Sequence, residues 1–278
     1  MIRLTDGSLT LPSSAQQAAS PVRQALFGML LARPEPFVYP SVRELNFELR
    51  MREMTMNAAR ALNSSGARFA SFAKSACNPA YWDREPNGGF RLRPDRAPAD
   101  AIRDIYVNGP LYAFECATAI VIVFYKAVLD SIGETQYNRL FAGTHLYTWD
   151  TDRDLGLRTV PTTRFIPGDC LYFDNPEVSP STPQWQGENV IYMGGERYYG
   201  HGIGISTAER IIEVLNSNRR PGAVTSAYLL DQATRPDYVY LSQFAESNPI
   251  RPDETGLPPL TGDVPIRAAI GTASYLAL

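Results

Sequence analysis

The sequence predicts an α+β fold in which helices come first and an antiparallel sheet follows. Three features carry the prediction. A capped, amphipathic stretch begins near residue 41, and a long apolar segment runs from Cys116 to Ile132. From residue 143 to 214, short β-prone runs alternate with turn signals.

Residues 1–40 are mixed and carry Pro12, Pro21, Pro34, Pro36 and Pro40, which suits an N-terminal extension. Ser41-Val-Arg-Glu44 reads as a capping box and predicts a helix to about Asn63, stopped by Ser65-Gly66. Leu45, Leu49, Arg52, Met56 and Leu62 sit near one face of it. Residues 83–98, rich in Gly, Pro and charge, read as a loop or hairpin insertion. Pro98-Ala-Asp100 opens a short helix that ends at Asn108-Gly109-Pro110.

Ile120 to Phe124 has the β-branched content of a buried strand. The apolar stretch nevertheless continues to Gly133 without a turn signal, so its length favours a helix from about Cys116 to Ile132, buried on most sides. Strands are predicted over His145–Trp149, Leu157–Val160, Cys170–Phe173, Asn189–Met193, Tyr198–Ile205 and Arg210–Val214. A last helix is predicted over about Ser226–Ala233, after Pro221-Gly222. Beyond residue 246, five prolines and weak periodicity predict an extended or disordered tail. The organisation expected is an N-terminal extension over 1–40, a single domain over 41–243 and a Pro-rich C-terminal extension over 244–278.

Composition narrows the function. A formal net charge of −3 and a pI near 5.5 supply no field that favours nucleic acid or an anionic membrane. The longest apolar run, Ala117 to Tyr125, is broken by Lys126 and falls short of the roughly 20 residues of a membrane span. The opening Met1-Ile-Arg-Leu-Thr-Asp-Gly turns polar at once, unlike a signal peptide, so synthesis in the cytoplasm is expected. Three cysteines, an odd number, argue against a disulfide framework.

Cys116 follows a Gly-Pro turn and opens the predicted buried helix. Unpaired N–H groups and the helix dipole at such a place favour a thiolate and can bind an oxyanion. A buried packing cysteine is the alternative. Cys77 and Cys170 fit packing better, one in loop-like sequence and one in a strand-like run. A nucleophilic thiol needs a base. His201, between Gly200 and Gly202, is one candidate, its glycines permitting close approach; His145 is the only other imidazole. Glu115 and Glu188 are the carboxylate candidates. The run Asp150-Thr-Asp-Arg-Asp154-Leu-Gly156 fails as a calcium loop, because its glycine is one place late and Pro161 stands where a bidentate glutamate belongs. No His/Cys spacing suggests zinc, and no metal or cofactor is expected.

The segment Gly109-Pro-Leu-Tyr-Ala-Phe-Glu-Cys-Ala-Thr-Ala-Ile-Val-Ile122 closely resembles the protein-glutamine γ-glutamyltransferases of the Bacillus spore coat. So do Gly168-Asp-Cys-Leu-Tyr-Phe173, Gln184-Trp-Gln-Gly-Glu-Asn-Val-Ile191, Leu215-Asn-Ser217, Ser226-Ala-Tyr-Leu-Leu230 and Gln232-Ala-Thr-Arg235. The likeness covers about 38–237. It implies a core related to the NlpC/P60 cysteine peptidases, with a nucleophile-bearing helix on an antiparallel sheet and extra N-terminal helices. It implies Cys116 as nucleophile and Glu188 where those relatives carry a catalytic histidine, with Glu115 and His201 as partly overlapping helpers and calcium not required. The implied reaction joins glutamine and lysine side chains of spore-coat proteins through a thioester, which would place the enzyme at the spore surface. Two other readings stay open: an NlpC/P60-type cysteine amidase or peptidase, and a structural coat protein without turnover.

The chemistry sets two expectations. A carboxylate that takes a thiol proton must have a raised pKa, so Glu188 should be largely buried beside the Cys116 sulfur. Lysine must outrun water, which a dry aromatic approach would favour; Phe69, Trp149 and Trp185 are the candidates to line it.

Overall fold

The computed structural model of the chain describes residues 2–6, 20–245, 267–270 and 273–276. Strand β1 (Ile2–Leu4) pairs in parallel with β2 (Phe37–Tyr39). Between them α1 (Pro21–Ala32) begins on a Ser20 N-cap with proline at its first position, where no N–H is needed. Helix α2 (Val42–Ser64) starts as expected: the Ser41 hydroxyl oxygen accepts from Arg43 N at 3.1 Å and donates to Glu44 at 2.5 Å. Next come β3 (Arg68–Phe69), the hairpin β4 (Trp82–Arg84) and β5 (Phe90–Leu92), α3 (Pro98–Val107) and β6 (Ala113–Phe114). Helix α4 (Cys116–Ile132) has the predicted bounds, followed by α5 (Glu134–Leu140) and β7 (His145–Leu146).

The remaining strands are β8 (Arg158–Pro161), β9 (Cys170–Asp174), β10 (Gly187–Gly194), β11 (Arg197–Gly200) and β12 (Gly204–Ser206). Helix α6 (Ala208–Asn216), β13 (Tyr228–Leu229), β14 (Gln232–Arg235) and α7 (Tyr238–Ser242) complete this body. The main sheet is antiparallel throughout, in the order β12-β11-β10-β9-β14-β8, with β13 also on β9. Strands β15 (Arg267–Ile270) and β16 (Ala273–Leu276) form a separate antiparallel pair. The rest of the predicted tail lies outside the described residues.

Three sequence expectations need correction. Arg210–Val214 belongs to α6 rather than to a strand: the Thr207 side chain caps the helix, and Ile211 and Leu215, four apart, are both buried. Ser226–Ala233 is not a helix but contributes β13 and β14, because pairing with β9 and β8 outweighs the local Ala-Tyr-Leu-Leu pattern. Tyr198–Ile205 is two strands joined by a turn that contains His201.

Alternation along the strands separates two cores. Cys170, Ile191 and Tyr199 join the core formed with α2 and α4, whereas Leu171, Val190 and Tyr198 pack with Ile211 and Leu215 of α6 on the other face. An ionic knot fastens α2 to the entrance of β9. Arg52, fully buried on the apolar face of its helix, bonds Glu48 at 2.8 Å, Asp169 at 2.7 Å and the Pro167 carbonyl at 3.2 Å. Arg235 closes a bidentate pair on Asp169, both bonds 2.7 Å. Burial alone would raise the Asp169 pKa, but the two guanidiniums overturn this and hold it low.

Candidate active site

The head of α4 is occupied by its own N-cap. The Glu115 carboxylate accepts from Ala117 N and Thr118 N, each at 2.7 Å, and from the Thr118 hydroxyl at 2.6 Å. These are the free helix donors that the sequence offered to a thiolate. The sulfur therefore gains less from the helix than expected. Cys116 is 7% exposed, and its thiol pKa is pushed well above the usual value by burial, then by the charges of Glu188 and Glu115. The expectation of an ionised sulfur at rest is corrected accordingly. Opposing this rise are two donors from one residue that sequence reasoning treated as plain strand: the Asn189 carboxamide, whose Nδ2 donates to Sγ at 3.6 Å, and the Asn189 main-chain N–H. Its only sequence signal was a polar residue heading the apolar run Val190-Ile191.

Glu188 is fully buried on β10, and neither carboxylate oxygen has a hydrogen-bond partner. Its pKa is raised well above the usual range by desolvation and by Glu115; the His201 main-chain N–H is near enough to pull the other way but makes no hydrogen bond of good geometry to it. Gly200 makes room for it: a Cβ there would lie 2.9 Å from Glu188 Oε1. Gly202 does the same for the Phe69 ring, whose Cβ and Cγ would each lie 2.9 Å away. The glycines flanking His201 thus admit Glu188 and Phe69.

His201 is buried and stacks on Phe114 at 4.7 Å; its Nδ1 faces the Tyr199 hydroxyl at 3.2 Å, and Nε2 has no partner. Desolvation lowers its pKa to about 4, so the ring is neutral at pH 7. The sign for stability follows. Between the unfolded value near 6.5 and about 4, the unfolded chain binds a proton that the folded chain refuses, so stability is lost as pH falls through that window. The expected loss from this group is ~3 kcal/mol on going from pH 7 to pH 4. Urea denaturation of wild type and His201→Gln at both pH values measures it; an equal acid loss in the two proteins would refute the assignment.

A cleft of about 1040 Å³ opens at this site. Glu115, Cys116, Trp149, Tyr172, Asn189 and Gln232 are among its lining residues. Trp149, 38% exposed, stands in it on a loop whose Thr148 has φ +45° and donates its N–H to Thr118 Oγ1 at 3.0 Å. The three aromatic candidates therefore separate. Phe69 stacks on Trp185 at 5.2 Å and approaches His201 at 6.3 Å, and neither lines the cleft, whereas Trp149 does. The acidic run 150–156 is spent on protein groups: Asp150 faces His145, Asp152 caps the Asp154 N–H, and Asp154 accepts from the Tyr240 hydroxyl. The thiols of Cys77 and Cys170 are both pushed up by burial, Cys77 to about 11.

A thiol at the head of a buried helix, a desolvated carboxyl within electrostatic reach and an adjoining cleft form the equipment of an acyl-transfer enzyme. The chain belongs to the protein-glutamine gamma-glutamyltransferase family, whose profile matches residues 1–245, and its activity is that of a transglutaminase. A protein of that name from Bacillus pumilus is 48% identical over 243 residues, covering 87% of this chain and 98% of the relative. One from Bacillus mycoides is 47% identical over 226 residues, covering 81% and 82%. The solved structure of a transglutaminase from Geobacillus stearothermophilus, without its C-terminal extension, superposes with a TM-score of 0.73 at 56% identity, covering 75% of this chain and all of that one. Among the described residues no helix is long and apolar enough to cross a membrane.

Proposed function

We propose that the chain forms ε-(γ-glutamyl)lysine crosslinks between spore-coat proteins through a thioester on Cys116, with a core related to the NlpC/P60 cysteine peptidases. The observation that carries the chemistry is the Glu188 carboxyl, fully buried, without a hydrogen bond and near enough that its charge holds the proton on the Cys116 sulfur. Two raised pKa values beside each other mean that the pair holds at most one negative charge, which a proton transfer moves from oxygen to sulfur.

In the first half-reaction Cys116 gives its proton to Glu188 while the sulfur bonds to the carboxamide carbon of a protein glutamine. The C–N bond then breaks, and Glu188 returns the proton to the departing ammonia. In the second half a lysine amine adds to the thioester carbon and loses a proton to Glu188; the C–S bond breaks, and Glu188 passes that proton to the departing sulfur, which restores the thiol and the carboxylate. His201, neutral, and Glu115, at the helix head, serve as overlapping helpers. Trp149 in the cleft and the Phe69–Trp185 stack beside His201 supply apolar flanks for the substrate stems. Residues 41–243 form the catalytic domain, with 1–40 and 244–278 as extensions. The Bacillus relatives support the spore-coat assignment.

Mass spectrometry of spore-coat extract incubated with the protein and a labelled primary amine tests this reading. Label on coat glutamines is expected. Deamidation without amine incorporation would indicate hydrolysis instead, and incorporation confined to proteins other than those of the coat would remove the substrate assignment.

A further inference from the structure

We infer that Asn189 is a catalytic residue: its carboxamide stabilises the Cys116 sulfur when it becomes an anion. The inference rests on the reading of Cys116 as nucleophile. Three observations lead to it.

First, the usual source of stabilisation is already used. The N–H groups of Ala117 and Thr118 are bonded to the Glu115 carboxylate, so they are not free to face the sulfur. Second, the neighbouring titratable groups oppose the anion. Glu115 on the N-cap and Glu188 on β10 both disfavour negative charge on sulfur, and Tyr172 on β9 is itself pushed up to about 12 by burial, Asp174, Cys116 and Glu188. His201, the imidazole of the site, is neutral at pH 7. Third, Asn189 is buried at the cleft wall with Nδ2 at 3.6 Å from Sγ. Asn189 lies opposite Tyr172 in the β10–β9 register, so the strand holds it in place. When the S–H bond breaks and the proton passes to a Glu188 oxygen, the electron pair left on sulfur faces the Asn189 amide donor. This donor is set before the reaction and costs no reorganisation.

The test replaces Asn189 by alanine, which removes the side-chain donor, and by aspartate, which keeps its shape and substitutes an acceptor. Two readouts are taken. One is kcat/KM for amine incorporation. The other is the pH dependence of Cys116 alkylation by iodoacetamide, followed by mass on the Cys116 peptide so that Cys77 and Cys170 do not contribute. The expected result for Asn189→Ala is a loss of about 10²-fold in kcat/KM. The alkylation midpoint should move to higher pH by about one unit. Asn189→Asp should shift both further in the same direction.

A wild-type alkylation profile in Asn189→Ala overturns the inference, whether or not turnover falls, because a merely structural role would lower turnover without moving the profile. Should Asn189→Ala not fold, Asn189→Asp decides alone: an unshifted or lowered midpoint overturns the inference. Cys116→Ala, run alongside, keeps the two readings apart. If it retains activity the nucleophile assignment fails; if it is inactive while Asn189→Ala behaves as wild type, only the Asn189 assignment fails.

Discussion

Replacing Cys116 by alanine is expected to lower amine incorporation by at least ~10⁴-fold, because the thioester route needs the sulfur and the other groups of the site cannot form that bond. Two other cysteines exist, and one of them, Cys170, also lines the cleft. It is no substitute. Its thiol is fully desolvated in the core with α4, and burial pushes its pKa far up with no carboxyl base beside it other than Asp169, which is already locked to Arg52 and Arg235. Cys170→Ala should therefore keep most of its turnover, and the pair of variants separates nucleophile from lining. Side-by-side rates with a glutamine donor and a labelled amine check both. Residual turnover within tenfold of wild type in Cys116→Ala would remove the thioester mechanism.

The second large effect concerns the proton. Glu188→Gln keeps the shape of the side chain but cannot accept a proton, and kcat/KM should fall by ~10² to 10⁴-fold. The sign of the pH profile follows from the raised pKa. Glu188 must lose its proton before it can take one from Cys116, so wild-type activity rises with pH through a value above the ordinary carboxylate range. In Glu188→Gln that acid limb disappears. A second consequence runs the other way. The Glu188 charge is one of the causes that keep the Cys116 proton on, so its removal should ease alkylation of the sulfur while turnover collapses. Because unfolding would also bare the sulfur, the faster alkylation counts only if the urea midpoint of Glu188→Gln matches that of wild type. If Glu188→Gln kept the wild-type rate while His201→Ala abolished it, imidazole and carboxylate would have to exchange roles.

Much of this architecture was legible, for identifiable reasons. Ser41 and Glu44 marked the start of α2, and uninterrupted apolar length marked α4 from Cys116 to Ile132. Both are local signals. The errors arose where partners far along the chain decide the conformation. Residues 226–233 look helical in isolation, but β8 and β9 wait on either side to pair with this stretch. In Arg210–Val214 the branched residues suggested a strand, while the Thr207 cap and the spacing of Ile211 and Leu215 state the opposite. The site divides in the same way. Glu115 and Glu188 both act on the Cys116 sulfur at the head of α4, and the His201 main chain reaches toward Glu188. What no one-dimensional pattern reveals is which donor serves which acceptor. The occupation of the Ala117 and Thr118 amides by Glu115, and the turning of Asn189 toward the sulfur, are three-dimensional facts.

The N-cap carboxylate at Glu115 has an effect outside the catalytic cycle. Peroxides attack ionised sulfur far more readily than a protonated thiol. By taking the amides that would otherwise coax the proton off Cys116, Glu115 leaves the idle enzyme with a chemically quiet sulfur. Slower sulfenic acid formation with peroxide than a free cysteine shows is the expected consequence.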